Sequence, residues 1–543
     1  MKNKNTFITG AFITSFGIII SKILGVIYVI FFHSIVGEEG GALYGYAYTV
    51  YNFFMSVASL GIPLSISKMV SEYQALGYYQ TKKRLFVLAK RIAILLGFVS
   101  FLLTVFLAPV ITPIIVGKAS VEHIRDVIFV IRISGIALLI VPVLSIYRGY
   151  FEGHRLFVPP SVSQVLEQFF RVIVILLGSF LAIKVFHLSI STGVGVALFG
   201  ATVGGIVAYV YLGYQYFTKR KIFHNKIRKV EEPIIKNEEI IRKVFFYSIP
   251  FIAIDFFKSL YHIVDMFQVV RGLVSFQYTL KDAEIIYSIL STWASKFTMI
   301  ILAISSGVIV SIIPHLTEEI LKKKNKEKEE TIHDALNVFL FLAIPITFGI
   351  SFLARGVWTL FYGDSVYGVS VLSFSIFIGL FMGLFTILVI ILQLFKDYKG
   401  VFISLISGFL FKLLFNSYLL SSFHQMSLPA YYGVIFSSIL GYFLSSIICI
   451  VYLKKKYSIS IQKVLKNVID ILIGSLLMIG LLYLLHFLIP IYSTNRILNL
   501  LILALYGIIG GGFYLLISNK IQLFQRVFKK NLFVFFRSIF SKK

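Results

Sequence analysis

Five basic residues lie deep inside stretches that are otherwise apolar: Lys22, Arg171, Lys258, Lys296 and Lys412. With a helical rise of about 1.5 Å per residue, each sits ~20 Å from the start of its stretch. An ionisable group at that depth is costly, and by default it faces a bundle interior or water. Two of the five have an acid close by. Glu167 precedes Arg171 by four residues and Asp255 precedes Lys258 by three, spacings that bring side chains together on one helix face. Lys22, Lys296 and Lys412 have no acid within one turn of their own helix. Such cations predict a hydrated cavity of positive potential, which suits an anionic substrate, phosphate or pyrophosphate first. Lys68 and Arg355 lie near the ends of their stretches, where long basic side chains snorkel to the interface, and Arg132 is intermediate.

Other chemistry is missing. There is no Walker A motif, so ATP hydrolysis is not expected. There is no HExxH or paired-His metal site, and the single cysteine, Cys449, sits in an apolar run. No enzyme activity, cofactor or bound metal is expected, and coupling to sodium or protons is left open. Several helices are interrupted on sequence grounds, at Gly61-Ile62-Pro63, Ser248-Ile249-Pro250, Ser306-Gly307 and Ile344-Pro345. Gly61, Pro63, Pro250, Gly307 and Pro345 are therefore hinge candidates, because transporters that rock between two states carry such breaks.

The elements that position these residues must be membrane helices. Of 543 residues, 58% are hydrophobic and only 14% charged, against roughly 25% charged in a soluble domain. Mean hydropathy is +0.90. About 20 apolar residues cross a bilayer. Fourteen such spans are expected, at roughly 7–33, 44–70, 86–116, 124–150, 159–186, 190–217, 242–270, 284–315, 334–361, 367–394, 400–420, 428–453, 466–489 and 497–518. The first reads as a retained helix rather than a cleaved signal. The stretches are too long for the strands of a membrane barrel. No soluble domain is expected.

The net charge of +27 is mostly topological. With both ends placed in the cytoplasm, 37 of the 51 Lys and Arg fall on inner connections, 6 on outer ones and 8 within spans. That alternation fits the positive-inside rule, so nucleic acid is not the expected partner. A basic tail at 519–543 reads as an amphipathic helix on anionic lipid or as an inner stop signal.

A repeat organises the spans. At an offset of 246 residues Ser59, Gly61, Ser65, Ile66 and Glu72 fall on Ser305, Gly307, Ser311, Ile312 and Glu318. Phe106-Leu107-Ala108 falls on Phe352-Leu353-Ala354, and at an offset of 241 Phe170-Arg171 falls on Phe411-Lys412. The predicted fold is an all-α polytopic membrane protein of two six-helix lobes, 1–217 and 242–453. A linker at 218–241 joins them, and two further helices follow at 466–518. Six helices per copy make the lobes a parallel repeat with a site between them.

The segment Arg148-Gly149-Tyr150-Phe151-Glu152-Gly153-His154, followed by Pro159, Ser163-Gln164, Glu167 and Arg171, resembles the stage V sporulation protein B family. Ser21-Lys22-Ile23-Leu24-Gly25, Leu43-Tyr44 and Gly61-Ile62-Pro63 are similar to the same family. Within it the chain looks like the YtgP/MurJ-type lipid II flippases of the multidrug/oligosaccharidyl-lipid/polysaccharide exporter superfamily. The resemblance implies two lobes around a cationic cavity, with helices thirteen and fourteen forming a groove that leads to it. It implies essential basic residues in spans one and eight, where Lys22 and Lys296 stand, and a sodium site for which Asp255 and Asn416 are candidates. It further implies a multi-pass protein of the bacterial cytoplasmic membrane, acting as a monomer on a lipid-linked anionic saccharide among membrane lipids and beside cell-wall synthesis proteins. The expected function is outward flipping of an undecaprenyl-pyrophosphate-linked saccharide, most of all lipid II, by alternating access. Lys22 and Lys296 are expected on the pyrophosphate, with Arg171, Lys258 and Lys412 raising the potential. The alternatives are a capsule or teichoic-type oligosaccharide flippase, a cation-coupled drug exporter and a non-transporting scaffold.

Overall fold

The computed structural model describes residues 2–534 except 60, 118, 221–222, 224–231, 323–324 and 533, with side chains described from residue 24 onward except 26, 27, 314, 321 and 325. Among the described residues there is no strand. The first helix, α1 (Lys2–Ala58), is broken at Gly37, whose φ of 68° and ψ of −169° are not helical. Gly61 then takes φ 86° and ends the helical run, and α2 (Ile62–Leu76) restarts with a proline in its first turn. A left-handed φ suits glycine, and a proline is tolerated where the N–H has no helical partner. The remaining helices are α3 (Tyr79–Val116), α4 (Val121–Gly135), α5 (Val141–Gly153), α6 (Val158–Ile173), α7 (Ile190–Thr218), α8 (Asn237–Ser275) and α9 (Leu280–Ser288). They are followed by α10 (Ser295–Leu321), α11 (Asn325–Phe352), α12 (Ala354–Tyr362), α13 (Gly368–Leu394), α14 (Tyr398–Gln425), α15 (Tyr431–Tyr457), α16 (Gln462–His486), α17 (Arg496–Lys520) and α18 (Leu523–Phe528).

Twelve helical stretches among the described residues are long and apolar enough to cross a membrane. Fourteen is not reached among the described residues. The stretch Tyr28–Leu76 runs through the second expected span, much of the first span lies over side chains outside the described residues, and α8, over the seventh, carries Asp255 and Lys258 and is not among the twelve. The breaks are also fewer than expected. The one at Gly61 and Pro63 is present, whereas α8, α10 and α11 run on through Pro250, Gly307 and Pro345.

The chain forms two compact units, Met1–Ser291 and Thr292–Lys543. They part inside the eighth expected span, since α8 packs on α1, α2 and α3 and α9 packs on α1. A π-helical stretch, Ile289–Trp293, spans the parting point. The described ends of the linker are fastened to the first unit. Phe223 is buried against Tyr150, Phe151, His154 and Tyr216. Glu232 accepts from the N–H groups of Gln80 at 2.8 Å and Thr81 at 3.0 Å, and from the Thr81 hydroxyl at 3.1 Å. Partial burial works against its charge, yet these donors at a helix N-terminus hold the carboxyl below the usual range. Burial also pushes the His154 imidazole down to about 4, with its Nδ1 on the Tyr150 carbonyl and Lys82 adding like charge.

Within the first unit α4 and α6 both pack on α7, and within the second α13 and α14 both pack on α15. The offset of 241 extends through these helices: Gly200 falls on Gly441, Ile206 on Ile447, and Val210-Tyr211-Leu212 on Val451-Tyr452-Leu453. In the second unit α16 packs on α11 and α17, and α17 on α12. The start of the basic tail docks on protein. Arg526 reaches Asp470 at 2.5 Å and Asn467 at 3.0 Å, Lys529 pairs with Asp334, and Phe524 and Phe528 pack on Phe341.

Small residues let these helices touch. A Cβ on Gly149 would lie 2.4 Å from the Pro63 carbonyl oxygen, and one on Gly153 would lie 2.6 Å from Val70 Cβ. The Ser71 hydroxyl donates to the Gly153 carbonyl at 2.9 Å. Glycines four apart therefore bring α5 onto the start of α2, the close approach that small residues allow between membrane helices. Gly149→Ala is expected to cost about 1–3 kcal/mol, as overpacking does, and to lower the melting temperature in detergent. Gly480→Ala, with nothing within 4 Å of the added carbon, should leave it unchanged or raised.

Candidate functional site

The structure sorts the deep cations by what holds them. Arg171 ends α6 and donates from Nη2 to Glu167 Oε1 at 2.5 Å, as the four-residue spacing predicts. A second cation joins them. Arg148, on α5, donates from Nη2 to Glu167 Oε2 at 2.8 Å and from Nε to Ser163 Oγ at 3.0 Å. One carboxylate, almost fully buried, thus sits between two guanidinium groups. Gly204 permits this, since a Cβ there would meet the Glu167 carbonyl oxygen at 2.4 Å, so α7 closes directly over the acid. Arg171 Nε is buried without a hydrogen-bond partner, and the tyrosines Tyr44, Tyr48 and Tyr51 lie near enough to feel its charge.

Four residues of one sequence segment are brought together here: Arg148, Ser163, Glu167 and Arg171. Arg148 falls among the 37 basic residues of the inner connections, and no spacing in the sequence pairs it with Glu167. Its signal was its place in the Arg-Gly-Tyr-Phe segment ahead of Ser163 and Glu167.

Lys258, on α8, lies 4.0 Å from Asp255, and the lysine is the more buried of the two at 17% side-chain exposure against 44%. Lys296 stands in the first turn of α10, directly after the π-helical stretch, and is half-buried. π-Helical turns inside α-helices are frequent at functional positions. The side chain of Lys22 lies outside the described residues.

Lys412 is fully enclosed, at 0% exposure. Its Nζ donates to Asn416 Oδ1 at 2.9 Å, the Val434 carbonyl at 3.1 Å, Ser437 Oγ at 3.0 Å and Ser438 Oγ at 2.7 Å. Four neutral oxygens from α14 and α15 replace its water shell, and the hydrated surroundings expected of it are not found. Asn416, a candidate ion ligand, spends its oxygen on Lys412 and Ser437. Asp255 belongs to the first unit and Asn416 to the second. No group of three or more His, Cys, Asp or Glu side chains with metal-binding geometry occurs among the described residues.

A second polar cluster in the first unit was not visible in the sequence. Glu284 Oε1 lies 2.7 Å from His123 Nε2 and accepts from the Tyr46 hydroxyl at 3.2 Å. Tyr46 stacks on Tyr287 with centroids 4.7 Å apart, and Tyr287 shares a hydrogen bond of 3.3 Å with Thr49. These contacts tie α4 and α9 to α1.

Chemically, the arrangement offers basic groups in membrane helices. It fits binding and movement of an anion. Comparison with known proteins agrees. Lipid II flippase MurJ of Bacillus subtilis (strain 168) is 29% identical over 97% of this chain and 98% of its own length. Stage V sporulation protein B of the same organism is 25% identical over 62% of this chain and 63% of its own. A solved structure of lipid II flippase MurJ in an inward closed conformation matches with a TM-score of 0.63 at 17% identity, over 95% of this chain and 99% of that one. The two MurJ relatives are flippases, transporters rather than enzymes, and the fold is that of the solved one. The polysaccharide biosynthesis protein family matches residues 7–315, and this multi-pass membrane protein belongs to that family.

Proposed function

We propose that this protein carries an undecaprenyl-pyrophosphate-linked saccharide, lipid II, from the inner to the outer leaflet by alternating access, with both chain termini in the cytoplasm. The observation that carries the reading is full-length similarity to a lipid II flippase. The basic residues at membrane depth support it, because a pyrophosphate crossing an apolar slab needs fixed positive charge along its path.

Lys22 and Lys296 hold the pyrophosphate in this reading. Arg171 and Lys258 keep part of their charge for the path, since each is partly exposed beside its acid. Lys412 is closed off by α15 and acts through the framework of the second unit. The hinge at Gly61 and Pro63 gives the first unit a point at which α1 and α2 re-orient. Any coupling ion, sodium or proton, enters as a driving force and not as a cofactor. A capsule or teichoic-type saccharide on the same lipid anchor presents the same anion and is separated by complementation. A drug exporter for cations needs an acidic path, which the sign of these charges opposes.

The test is rescue of growth in a strain depleted of its lipid II flippase, with lipid II exposure on the outer leaflet as the readout. The intact chain is expected to rescue. Lys22→Gln and Lys296→Gln should each lose rescue while their protein level and melting temperature stay near the parent's. Rescue by both variants would assign the anion to other residues.

Framework charges should behave in the opposite way. Glu167→Gln strips the shared acid from two arginines and is expected to cost about 3–5 kcal/mol. Lys412→Met leaves buried acceptors without a donor, at about 1–3 kcal/mol. Both should lower the melting temperature and the protein level first, and rescue should scale with the folded protein remaining.

A further inference from the structure

The second unit holds a groove of about 510 Å³ lined by Arg355, Thr359, Asp364, Ser365, Val366 and Val369. The function proposed above does not use it. Arg355, at the start of α12, lays its guanidinium over the ring of Tyr492, 4.0 Å from the centroid. Stacking of this kind fixes the plane of the guanidinium and leaves its edge donors free for a bidentate anion. Among the described residues the Arg355 and Asp364 side chains make no hydrogen bond or ion pair, so the two charges line one groove without pairing with each other.

Both walls are held in place. On one side the Asn499 amide donates to the Gly356 carbonyl at 2.9 Å, the Tyr506 hydroxyl donates to the Ile489 carbonyl at 2.6 Å, and Ser493 N donates to Asn499 Oδ1 at 3.4 Å. Gly356 lets that loop lie on α12, since a Cβ there would meet the Ile491 carbonyl oxygen at 2.7 Å. On the other side Gly363, at φ 82°, turns the chain away from α12 and donates to the Thr359 carbonyl at 3.1 Å. Ser365 Oγ accepts from Gly368 N at 3.1 Å, and a Cβ on Gly368 would lie 2.0 Å from the Trp358 ring. Tyr492 and Asp364 therefore ride on fixed loops, and opposite charges held apart on fixed supports are preorganised for a ligand with the complementary pair.

We propose that this groove binds a zwitterion, with anionic oxygens on Arg355 and an ammonium on Asp364. Its place just beyond the end of the membrane span Lys326–Phe352, where long basic side chains reach the interface, points to a phosphoethanolamine lipid head group as the zwitterion. The inference stands apart from the proposed flippase activity, and its test does not read transport.

The test is equilibrium binding to the purified full-length protein in detergent, by calorimetry. The probes are alanyl-alanine and glycerophosphoethanolamine, each beside its N-acetylated form. Glycerophosphoethanolamine is expected to bind saturably and at least tenfold tighter than its acetylated form, and tighter binding of alanyl-alanine would overturn the lipid assignment. Arg355→Gln should weaken that zwitterion at least tenfold. Asp364→Asn should weaken it about as much while leaving the acetylated probe unchanged. Arg355→Lys, which keeps the charge and loses the fork, should fall between. Both sites are on the surface, so the melting temperatures should match the parent's. Absence of saturable binding by either zwitterion overturns the proposal. So does equal binding of the acetylated forms, or binding that Arg355→Gln leaves unchanged.

Discussion

A cation placed inside an apolar helix bundle must be met by oxygen from a neighbouring helix, and much of this molecule is arranged around that requirement. The two copies of the repeat meet it in different ways. In the first, Arg171 is answered by Glu167 one turn earlier, and Arg148 completes the cluster from α5. In the second, the position equivalent to Glu167 is Gly408, so Lys412 has no acid on its own helix. Asn416, Ser437 and Ser438 supply oxygen instead, where the first copy has Ile175, Val196 and Ala197. The exchange is compensatory. Where the acid is lost, neutral acceptors replace apolar side chains on two helices.

Glycine makes these arrangements close enough to work. Gly204 sets α7 against the backbone of Glu167, and Gly433 would place a Cβ 2.4 Å from the Leu419 carbonyl, where α15 meets α14. Water does not enter such contacts, so each buried charge is held at fixed geometry. Fixed charge of this kind supports a lattice of helices. Lys296, half-buried at the start of α10, is the less enclosed of the two deep lysines described in the second unit.

Much of this was legible in the sequence. The apolar helical character, the Glu167–Arg171 pair and the break at Gly61 all follow from local spacing, because helical periodicity and glycine stereochemistry act within a few residues. What was not legible involves partners distant in the chain. Arg148 is 19 residues from Glu167 and looked like a loop charge. The oxygens around Lys412 come partly from the next helix, 22 to 26 residues on. The His123–Glu284 pair joins residues 161 apart. Pro250 and Pro345 read as breaks, yet both lie inside continuous helices, since neighbours in a membrane bundle re-satisfy the freed carbonyl. A repeat marks equivalent positions in two copies, whereas compact units follow packing, and α8 packs on α1, α2 and α3.

The account as a whole turns on whether this chain moves a pyrophosphate-linked saccharide across a bilayer unaided. The most direct measurement is in vesicles reconstituted with the purified protein and lipid II on one leaflet, following its appearance on the other. The account predicts translocation well above protein-free vesicles. It also predicts that free pyrophosphate in excess slows it, since both compete for the same cations. Translocation no faster than in protein-free vesicles, with folded protein present, would contradict it.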